Sequence, residues 1–428
     1  MFSITMALSA WSFFCFRVYT LHIEAKSQPI PINVPLIIDP TSPSCSYLEN
    51  SLARLEPPSG MFMGYGLNWT ASTPIQMNAK LQHNMAVPMT FLQIDPTKTP
   101  AYDVNMLNWF GQQTAFTGGF LLLTIEPLTP DFSTISDEIM DTLARQCRDI
   151  NAKLGVPILM RFGHEMNGDW TQYGLKPSSY ITGFRRMASF IRSYTNVTAM
   201  LWSPNVGISY PFTTTGSSMS QIPTISSDPA NFHLLDTNND GVIDAGDDPY
   251  MPYYPGDDVV DWVGLSLYYY PDTPLSTSAL NPVISPAGFF EAFLTGNGTL
   301  AQSNAAFGIY NASARNFYNN FSVVKNKPLA ISESATPYFV GTTLATELQV
   351  KQAWYQQTLN SDLRSSFPKL KVLVNFEQEK LESGFVKNWE YVDRTQVTPA
   401  YVQYLDQQTG LLWADGLKFT CAGSINFS

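Results

Sequence analysis

The sequence predicts a single (β/α)8 barrel, and this prediction rests on the order of its apolar runs and on the length of the chain. Eight short apolar runs alternate with longer helical or loop segments, which is the pattern of βα units and not of β-hairpins. The chain has 428 residues, of which 44% are hydrophobic, and this length suits one barrel with long loops. The Gly-x-Gly-x-x-Gly turn typical of an open dinucleotide-binding sheet does not occur in the sequence.

The apolar runs define the predicted strands. They span residues 61–67, 86–94, 119–124, 156–162, 197–202, 262–267, 328–332 and 371–376. Segments between several of them have helical character, at 135–153, 179–194 and 346–363. Because no internal repeat or low-complexity linker divides the chain, we expect one domain over residues 26–428, with long loops after the strands.

The N-terminal segment has features of a secretory signal peptide. An apolar run at residues 6–16 is too short to span a bilayer, and we assign residues 1–25 to the signal. No second candidate membrane span follows it. Glycosylation sequons agree with secretion, and they begin at Asn68, Asn196, Asn297, Asn311, Asn320 and Asn426. We therefore expect a secreted extracellular glycoprotein that does not bind membranes.

Charge and cysteine content narrow the range of partners. The formal net charge is −11 and the 24 Lys and Arg residues form no basic run, so we expect no nucleic-acid partner. Aromatic residues make up 13% of the chain, which leaves rings available to stack on weakly charged ligands. Cys45 and Cys421 are placed to tie the two ends together, with their pairing left open, and Cys147 is interpreted as a buried hydrophobic residue. We expect a monomer.

Polar side chains follow most of the predicted strands. In a (β/α)8 barrel the reacting groups lie at the carboxyl ends of the strands, so these residues are the first candidates for chemistry. They are Gln93, Asp95, Glu126, His164, Glu165, Asn205, Tyr268, Glu333 and Asn375.

Two of these residues are carboxylates that follow separate apolar strands, Glu165 after the fourth run and Glu333 after the seventh. Hydrolysis of a glycosidic bond with retention of configuration needs such a pair, about 5 to 5.5 Å apart. One carboxyl protonates the leaving oxygen, and the other attacks the anomeric carbon. The pair therefore predicts a retaining glycoside hydrolase.

Residues 161–170 read Arg-Phe-Gly-His-Glu-Met-Asn-Gly-Asp-Trp, and this segment resembles the acid/base signature of glycoside hydrolase family 26, which is dominated by β-mannanases. Residues 254–264 and 327–333 are similar to further segments of that family. The resemblance implies a (β/α)8 barrel with the acid/base after the fourth strand and the nucleophile after the seventh. It therefore assigns Glu165 as the acid/base and Glu333 as the nucleophile, with no cofactor for catalysis.

The neighbours of the two carboxylates are assigned to the substrate site. They are Arg161, His164, Asn167, Trp170 and Tyr268. Arg161 is able to pair with a carboxylate, and His164 to donate to a sugar hydroxyl or to orient the acid/base. Trp170 is placed to stack on a pyranose ring. Tyr268 resembles the family tyrosine that donates a hydrogen bond to the nucleophile.

The substrate predicted by the resemblance is a β-linked polysaccharide, β-1,4-mannan first, cleaved in an endo fashion. Residues 268–270 are three consecutive tyrosines, and residues 375–379 contain no tryptophan to line the site. For this reason β-1,3-1,4-glucan and β-1,3-xylan stay open as alternatives. A non-catalytic carbohydrate-binding barrel is a further alternative, but such a barrel typically lacks one carboxylate, and both are present.

Residues 236–247 follow the Asp-x-[Asp/Asn]-x-[Asp/Asn]-Gly pattern of calcium-binding loops. The predicted ligands are Asp236, Asn238, Asp240, the carbonyl of Val242, Asp244 and Asp247. Asp247 stands where the usual ligand is the longer Glu. Because there is one copy of the loop and no evident helix pair flanks it, we expect a structural Ca2+ and not a calcium switch.

Overall fold

The computed structural model of the protein describes residues 36–38, 45, 52–207, 210–212, 219–269, 284–296, 311–339, 345–382 and 385–427. The predicted signal peptide at residues 1–25 and the sequon at Asn297 lie outside the described residues. Within the described ranges, no helix combines the length and the apolar character that crossing a membrane requires.

Eight parallel strands close into a barrel, as predicted. They are β1 (Met61–Leu67), β2 (Val87–Ile94), β3 (Leu121–Pro127), β4 (Ile158–Phe162), β5 (Thr198–Trp202), β6 (Trp262–Ser266), β7 (Leu329–Ser334) and, after the short β8 (Tyr338–Phe339), β9 (Leu370–Glu377). Each pairs with the next in this order apart from β8, and β9 returns to pair with β1. Six of them, including β4 and β7, are buried along their whole length. Burial on both faces explains why these strands are continuous apolar runs.

Helices follow most barrel strands and cover the outside of the sheet. They are α1 (Pro74–Leu81), α2 (Val104–Ala115), α3 (Asp137–Leu154), α4 (Pro177–Tyr194), α5 (Pro229–Leu235), α6 (Phe289–Thr295), α7 (Ala312–Arg315), α8 (Glu347–Thr358), α9 (Ser361–Ser366) and α10 (Val397–Asp406). Short 3-10 turns occur at Phe132–Thr134 and Met251–Tyr253, and a π-helical turn at Tyr318–Val323.

Helix α3 shows why the sequence ends its helices where it does. The Ser136 hydroxyl accepts the amide hydrogen of Ile139 at 3.3 Å and caps the first turn. Gly155 ends the helix with a φ of 63°, a left-handed conformation that glycine adopts without steric cost. Cys147 is buried on the inner face of this helix, which confirms its interpretation as a core residue.

The predicted helix at 346–363 is two helices, α8 and α9, separated at Asn360. The Asn360 side chain accepts the amide hydrogen of Leu363 at 2.7 Å and so begins a new helix. Asparagine is a strong N-cap because its side-chain oxygen replaces the missing carbonyl of the preceding turn. The apolar periodicity alone did not reveal this break.

A second, small sheet stands beyond the carboxyl ends of β7 and β9. Strands β10 (Glu379–Glu382) and β11 (Phe385–Asn388) form a hairpin directly after β9, and β11 also pairs with β8. This sheet ends next to Trp389, at the same end of the barrel as the predicted catalytic residues.

The segments before and after the barrel are joined to one another. Strand β12 (Leu411–Leu412) pairs with β1, and β13 (Leu417–Phe419) forms a hairpin with β14 (Ile425–Phe427). Cys45 and Cys421 form a disulfide, which resolves the open pairing. The amide of Leu55 donates to the carbonyl of Gly423 at 2.8 Å, beside this bond in the sequence.

Candidate active site

Glu165 and Glu333 both lie at the mouth of the barrel. Glu165 comes three residues after the end of β4, and Glu333 is the fifth residue of β7. Their exposed fractions are 8% and 6%, so both carboxyls are buried. Two buried carboxyls are costly unless each has hydrogen-bond or charged partners, and the partners of the two differ.

The backbone holds Glu165 in an uncommon conformation. Its φ is 52°, in the left-handed region, which costs about 1–3 kcal/mol for a residue with a side chain. Its amide donates to the carbonyl of Ser203 and its carbonyl accepts from the amide of Gly168, both at 3.0 Å. Gly163 precedes it with a φ of 64°, and a side chain there would meet the Phe132 ring at 2.9 Å. The turn after β4 therefore aims Glu165 into the mouth.

The side chain of Glu165 accepts two N–H hydrogen bonds. The Trp170 indole donates to Oε2 at 2.7 Å, and the Asn205 amide donates to Oε1 at 3.1 Å. Burial, and then the negative charge of Glu333, raise the pKa of Glu165 above its ordinary value, although the positive charge of Arg161 opposes them. A raised pKa suits a carboxyl that must carry a proton near neutral pH.

The side chain of Glu333 is paired with a cation. Its Oε1 forms an ion pair with Arg161, and the Tyr268 hydroxyl donates to its Oε2 at 2.6 Å. Arg161 is fully buried and also donates to the Ser266 hydroxyl at 2.5 Å. Burial raises the pKa of Glu333, but Arg161 and Tyr268 outweigh this effect and bring the pKa below its ordinary value. Glu333 is therefore ionised, as a nucleophile must be.

His164, directly before Glu165, is an uncharged imidazole at neutral pH. Burial, and then the charge of Arg161, lower its pKa to about 4. The Tyr173 hydroxyl donates to the His164 carbonyl at 2.9 Å and lies 3.2 Å from His164 Nδ1. Because that hydroxyl has one hydrogen, Nδ1 donates to its oxygen and Nε2 is left as an acceptor. The ring contacts Phe91 edge-on at 5.6 Å.

Trp170 and Asn167 lie where the sequence placed them, but with specific protein partners. Besides its bond to Glu165, the Trp170 ring packs edge-on against Phe212 at 4.9 Å. Both ends of the Asn167 amide bond the backbone of Asn205, at 2.8 Å each. Asn167 is fully buried, which indicates support of the site and not contact with a substrate.

The other polar residues after the strands divide into two groups. Gln93 donates to Glu126 at 3.0 Å. The charge of the half-buried Glu126 opposes the lowering of the His164 pKa, so this pair lies near the mouth. Asn375 instead bonds the Tyr401 hydroxyl on α10, outside the barrel sheet. Being next to the end of a strand is therefore not sufficient to place a side chain in the site.

Trp389 is an aromatic site residue that sequence reasoning missed. Its ring contacts Tyr268 at 5.2 Å and Phe376 at 6.5 Å, beside the residue that donates to Glu333. Residues 375–379 contain no tryptophan, whereas Trp389 comes directly after the β10–β11 hairpin. Ser266 was also missed, because an isolated serine at a strand end carries no sequence signal.

The loop at residues 236–247 satisfies its carboxylates with its own backbone. Asp236 accepts from the amides of Asp240 and Gly241 at 3.1 and 3.0 Å. Asp247 accepts from the amides of Thr237 at 2.7 Å and Asp244 at 2.9 Å, one on each oxygen. In the part of the chain that the structure describes, no three acidic, histidine or cysteine side chains converge on a metal position. The calcium site stays a prediction.

One family model and a number of solved structures are similar to the chain. Residues 107–216 match the family model described as glycosyl hydrolase family 26, whereas the comparison with curated proteins finds no match. Solved structures similar to the chain include an endo-beta-1,4-mannanase double mutant of Cellulomonas fimi, at 16% identity over 83% of this chain and 72% of that one, with a TM-score of 0.47. The match to the mannanase man26 of Bacillus subtilis covers 88% of this chain and 91% of that one at 13% identity, with a TM-score of 0.44. The match to GH26C from Muricauda sp. MAR_2010_75 covers 86% of this chain and 91% of that one at 12% identity, with a TM-score of 0.49.

The family match covers the part of the chain that contains Glu165 and the strands β3, β4 and β5. It confirms the resemblance for the segment around Glu165, whereas Glu333 lies outside the matched residues. The protein is therefore a glycoside hydrolase, in which residues 107–216 are similar to glycosyl hydrolase family 26.

Proposed function

We propose that the protein is a retaining glycoside hydrolase in which Glu165 is the acid/base and Glu333 the nucleophile. The observation that carries the proposal is the contrast between two buried carboxyls at one barrel mouth: Glu333 is ion-paired with Arg161, whereas Glu165 has uncharged donors. These surroundings lower the pKa of Glu333 and leave that of Glu165 raised. Two titratable groups whose surroundings separate their pKa values in this way have the acid and base roles already divided between them.

In the first step, ionised Glu333 attacks the anomeric carbon while protonated Glu165 delivers its proton to the leaving oxygen. The carbon–oxygen bond breaks and a glycosyl ester of Glu333 forms. The negative charge of Glu333 is then lost, and with it one of the causes that raise the pKa of Glu165. Glu165 therefore stays ionised and is available as the base in the second step, in which it takes a proton from water as that water displaces Glu333.

The proposed substrate is β-1,4-mannan, cleaved in an endo fashion. The family 26 match supports this choice, since the family is dominated by β-mannanases. Residues 375–379 contain no tryptophan, but the Trp389 ring lies beside Tyr268 and supplies an aromatic surface there. The test is hydrolysis of mannan, β-1,3-1,4-glucan and β-1,3-xylan by the purified protein, with product lengths and the first-formed anomer followed by NMR. Preference for another polysaccharide would change the assigned substrate. A first-formed product of inverted configuration would exclude the double-displacement mechanism.

We expect Tyr268→Phe to lower kcat/KM by about tenfold to a hundredfold, the worth of a hydrogen bond to a charged group. Without this donor the pKa of Glu333 rises. The acidic limb of the pH profile reports ionisation of the nucleophile, so it moves to higher pH, while the basic limb set by Glu165 stays. Tyr254→Phe is the matched control, because Tyr254 also donates to a carboxylate, Asp257 at 2.7 Å. An acidic limb that moves equally in both variants would count against this role for Tyr268.

We further propose that the protein is secreted, N-glycosylated and monomeric. The sequons support secretion and glycosylation, and among them Asn68 and Asn426 have exposed side chains. Asn196 is a poorer acceptor, because its amide donates to the Cys45 carbonyl at 2.7 Å. Expression in a secretory host, with the mass of the protein measured before and after removal of N-glycans, tests the proposal.

For residues 236–247 we propose a structural Ca2+ site, supported by the oxygen-donor pattern and by the turn at Gly241, whose φ is 88°. We expect a chelator to lower the melting temperature and excess Ca2+ to restore it. Asp240→Ala should abolish that dependence, while Asp228→Ala, outside the loop, should keep it. A melting temperature that does not respond to either treatment would show that the backbone hydrogen bonds alone hold the loop.

A further inference from the structure

Asn205 is the side chain at the mouth whose role neither the sequence pattern nor the two-carboxylate mechanism explains. It lies three residues after the end of β5, and its Nδ2 donates to Glu165 Oε1 at 3.1 Å. The indole of Trp170 donates to the other oxygen at 2.7 Å. One N–H donor on each oxygen fixes both the position of the carboxyl and its rotation about the last bond of the side chain.

The backbone of Asn205 is itself clamped from two sides. On the β4 side, Asn167 donates to its carbonyl and accepts from its amide, both at 2.8 Å. On the β6 side it forms a bridge with Ser266, whose carbonyl accepts from Val206 and whose amide donates to Pro204, both at 3.0 Å. A reciprocal pair of amide bonds of this kind holds a residue much as a strand pairing does. The donor to Glu165 is therefore preorganised before any substrate enters.

We propose that Asn205 is a positioning residue for Glu165, and that Asn167 acts through Asn205. The inference rests on the proposed role of Glu165 as acid/base. An amide N–H is a donor only, so it stabilises the ionised carboxylate more than the protonated acid. It thus acts together with the charge of Arg161 and the Ser266 hydroxyl against burial and the charge of Glu333, which favour the acid. In the second step Glu165 has to be a carboxylate, and Asn205 keeps that form accessible without moving the side chain.

This role predicts an unequal effect on the two steps. Without the Asn205 donor, a smaller fraction of Glu165 is ionised at a given pH and its carboxylate is less firmly positioned, so hydrolysis of the glycosyl ester slows more than its formation. An aryl glycoside with a good leaving group needs little protonation in the first step. With such a substrate, we expect Asn205→Ala to lower kcat about tenfold or more and to lower KM as well, because the covalent intermediate accumulates.

The decisive measurement is a carbon NMR titration of Glu165 in protein labelled at glutamate carboxyls, combined with intact-mass detection of the glycosyl-enzyme. We expect the titration of Glu165 to move to higher pH in Asn205→Ala and in Asn205→Leu. The leucine side chain is similar in size and leaves the backbone bonds to Asn167 in place, but it has no donor and no charge. The matched control is Asn84→Ala, because Asn84 also donates to a carboxylate, Asp415 at 2.6 Å, and precedes β2 at the other end of the barrel.

Two outcomes would overturn the inference: an unchanged titration of Glu165 in folded Asn205→Ala and Asn205→Leu, or equal slowing of both steps with no accumulated intermediate. A merely structural role would lower the melting temperature and leave the titration in place. Asn167→Ala is expected to move the titration in the same direction. If the wild-type protein hydrolyses none of the polysaccharides, the proposed function fails, and the titration still decides whether Asn205 controls Glu165.

Discussion

Replacement of Glu333 by alanine is expected to lower kcat by on the order of 10⁴-fold or more, because the variant has no group to form the covalent intermediate. It also leaves Arg161, which is fully buried, without its ion-pair partner. Removal of one member of a buried pair costs about 3–5 kcal/mol, so the melting temperature should fall as well. Rates on the preferred polysaccharide and thermal unfolding measure the two effects separately.

Azide distinguishes loss of the nucleophile from loss of the fold. In Glu333→Ala a small anion enters the space left by the carboxylate and attacks the sugar from the same side, so an α-glycosyl azide forms from a β-linked substrate. Glu138→Ala, an exposed carboxylate at the start of α3, is the control and should retain full activity. Turnover of Glu333→Ala at the wild-type rate would exclude Glu333 as the nucleophile.

Replacement of Glu165 by alanine is expected to lower kcat on polysaccharide by about 10²- to 10⁴-fold, the usual contribution of general acid and base catalysis. The loss should be much smaller for the first step with an activated aryl glycoside, since that leaving group departs without a proton. The second step then becomes limiting, and the glycosyl-enzyme accumulates. Burst kinetics with the aryl substrate measure the two steps.

The stereochemistry of azide rescue is opposite in this variant. Azide reacts with the covalent intermediate from the side where Glu165 stood, and the product is a β-glycosyl azide. The two alanine variants thus give opposite anomers from one substrate, which ties each carboxylate to its own role. The same anomer from both, or an equal loss on activated and natural substrates, would contradict the assignment.

The barrel could be predicted because its strands have a simple physical signature. A parallel strand covered on both faces is apolar without interruption, and runs such as 61–67 and 197–202 lie within a residue of the observed strands. The segment 346–363 was harder, because the break at Asn360 is a local hydrogen bond within an otherwise helical composition. A cap of this kind interrupts the helix but leaves the spacing of the apolar residues almost unchanged.

The site could be predicted only as far as single strands reach. Glu165 and Glu333 were found because each ends an apolar run. The bond from Asn205 to Glu165 depends on two loops meeting, and Trp389 reaches Tyr268 from a hairpin that begins after the barrel has closed. Contacts between loops leave no periodic pattern in the sequence. For this reason the sequence did not indicate which of the polar and aromatic residues in the loops reach the site.

The buried guanidinium of Arg161 also bears on how long the covalent intermediate lasts. In the proposed mechanism, the sugar turns the carboxylate of Glu333 into a neutral ester, and Arg161 is left in a dry interior facing an uncharged group. The free enzyme regains that ion pair when the ester is hydrolysed. The ion pair with Arg161 therefore favours hydrolysis of the ester, so the glycosyl-enzyme is a short-lived intermediate and the free enzyme is the resting state.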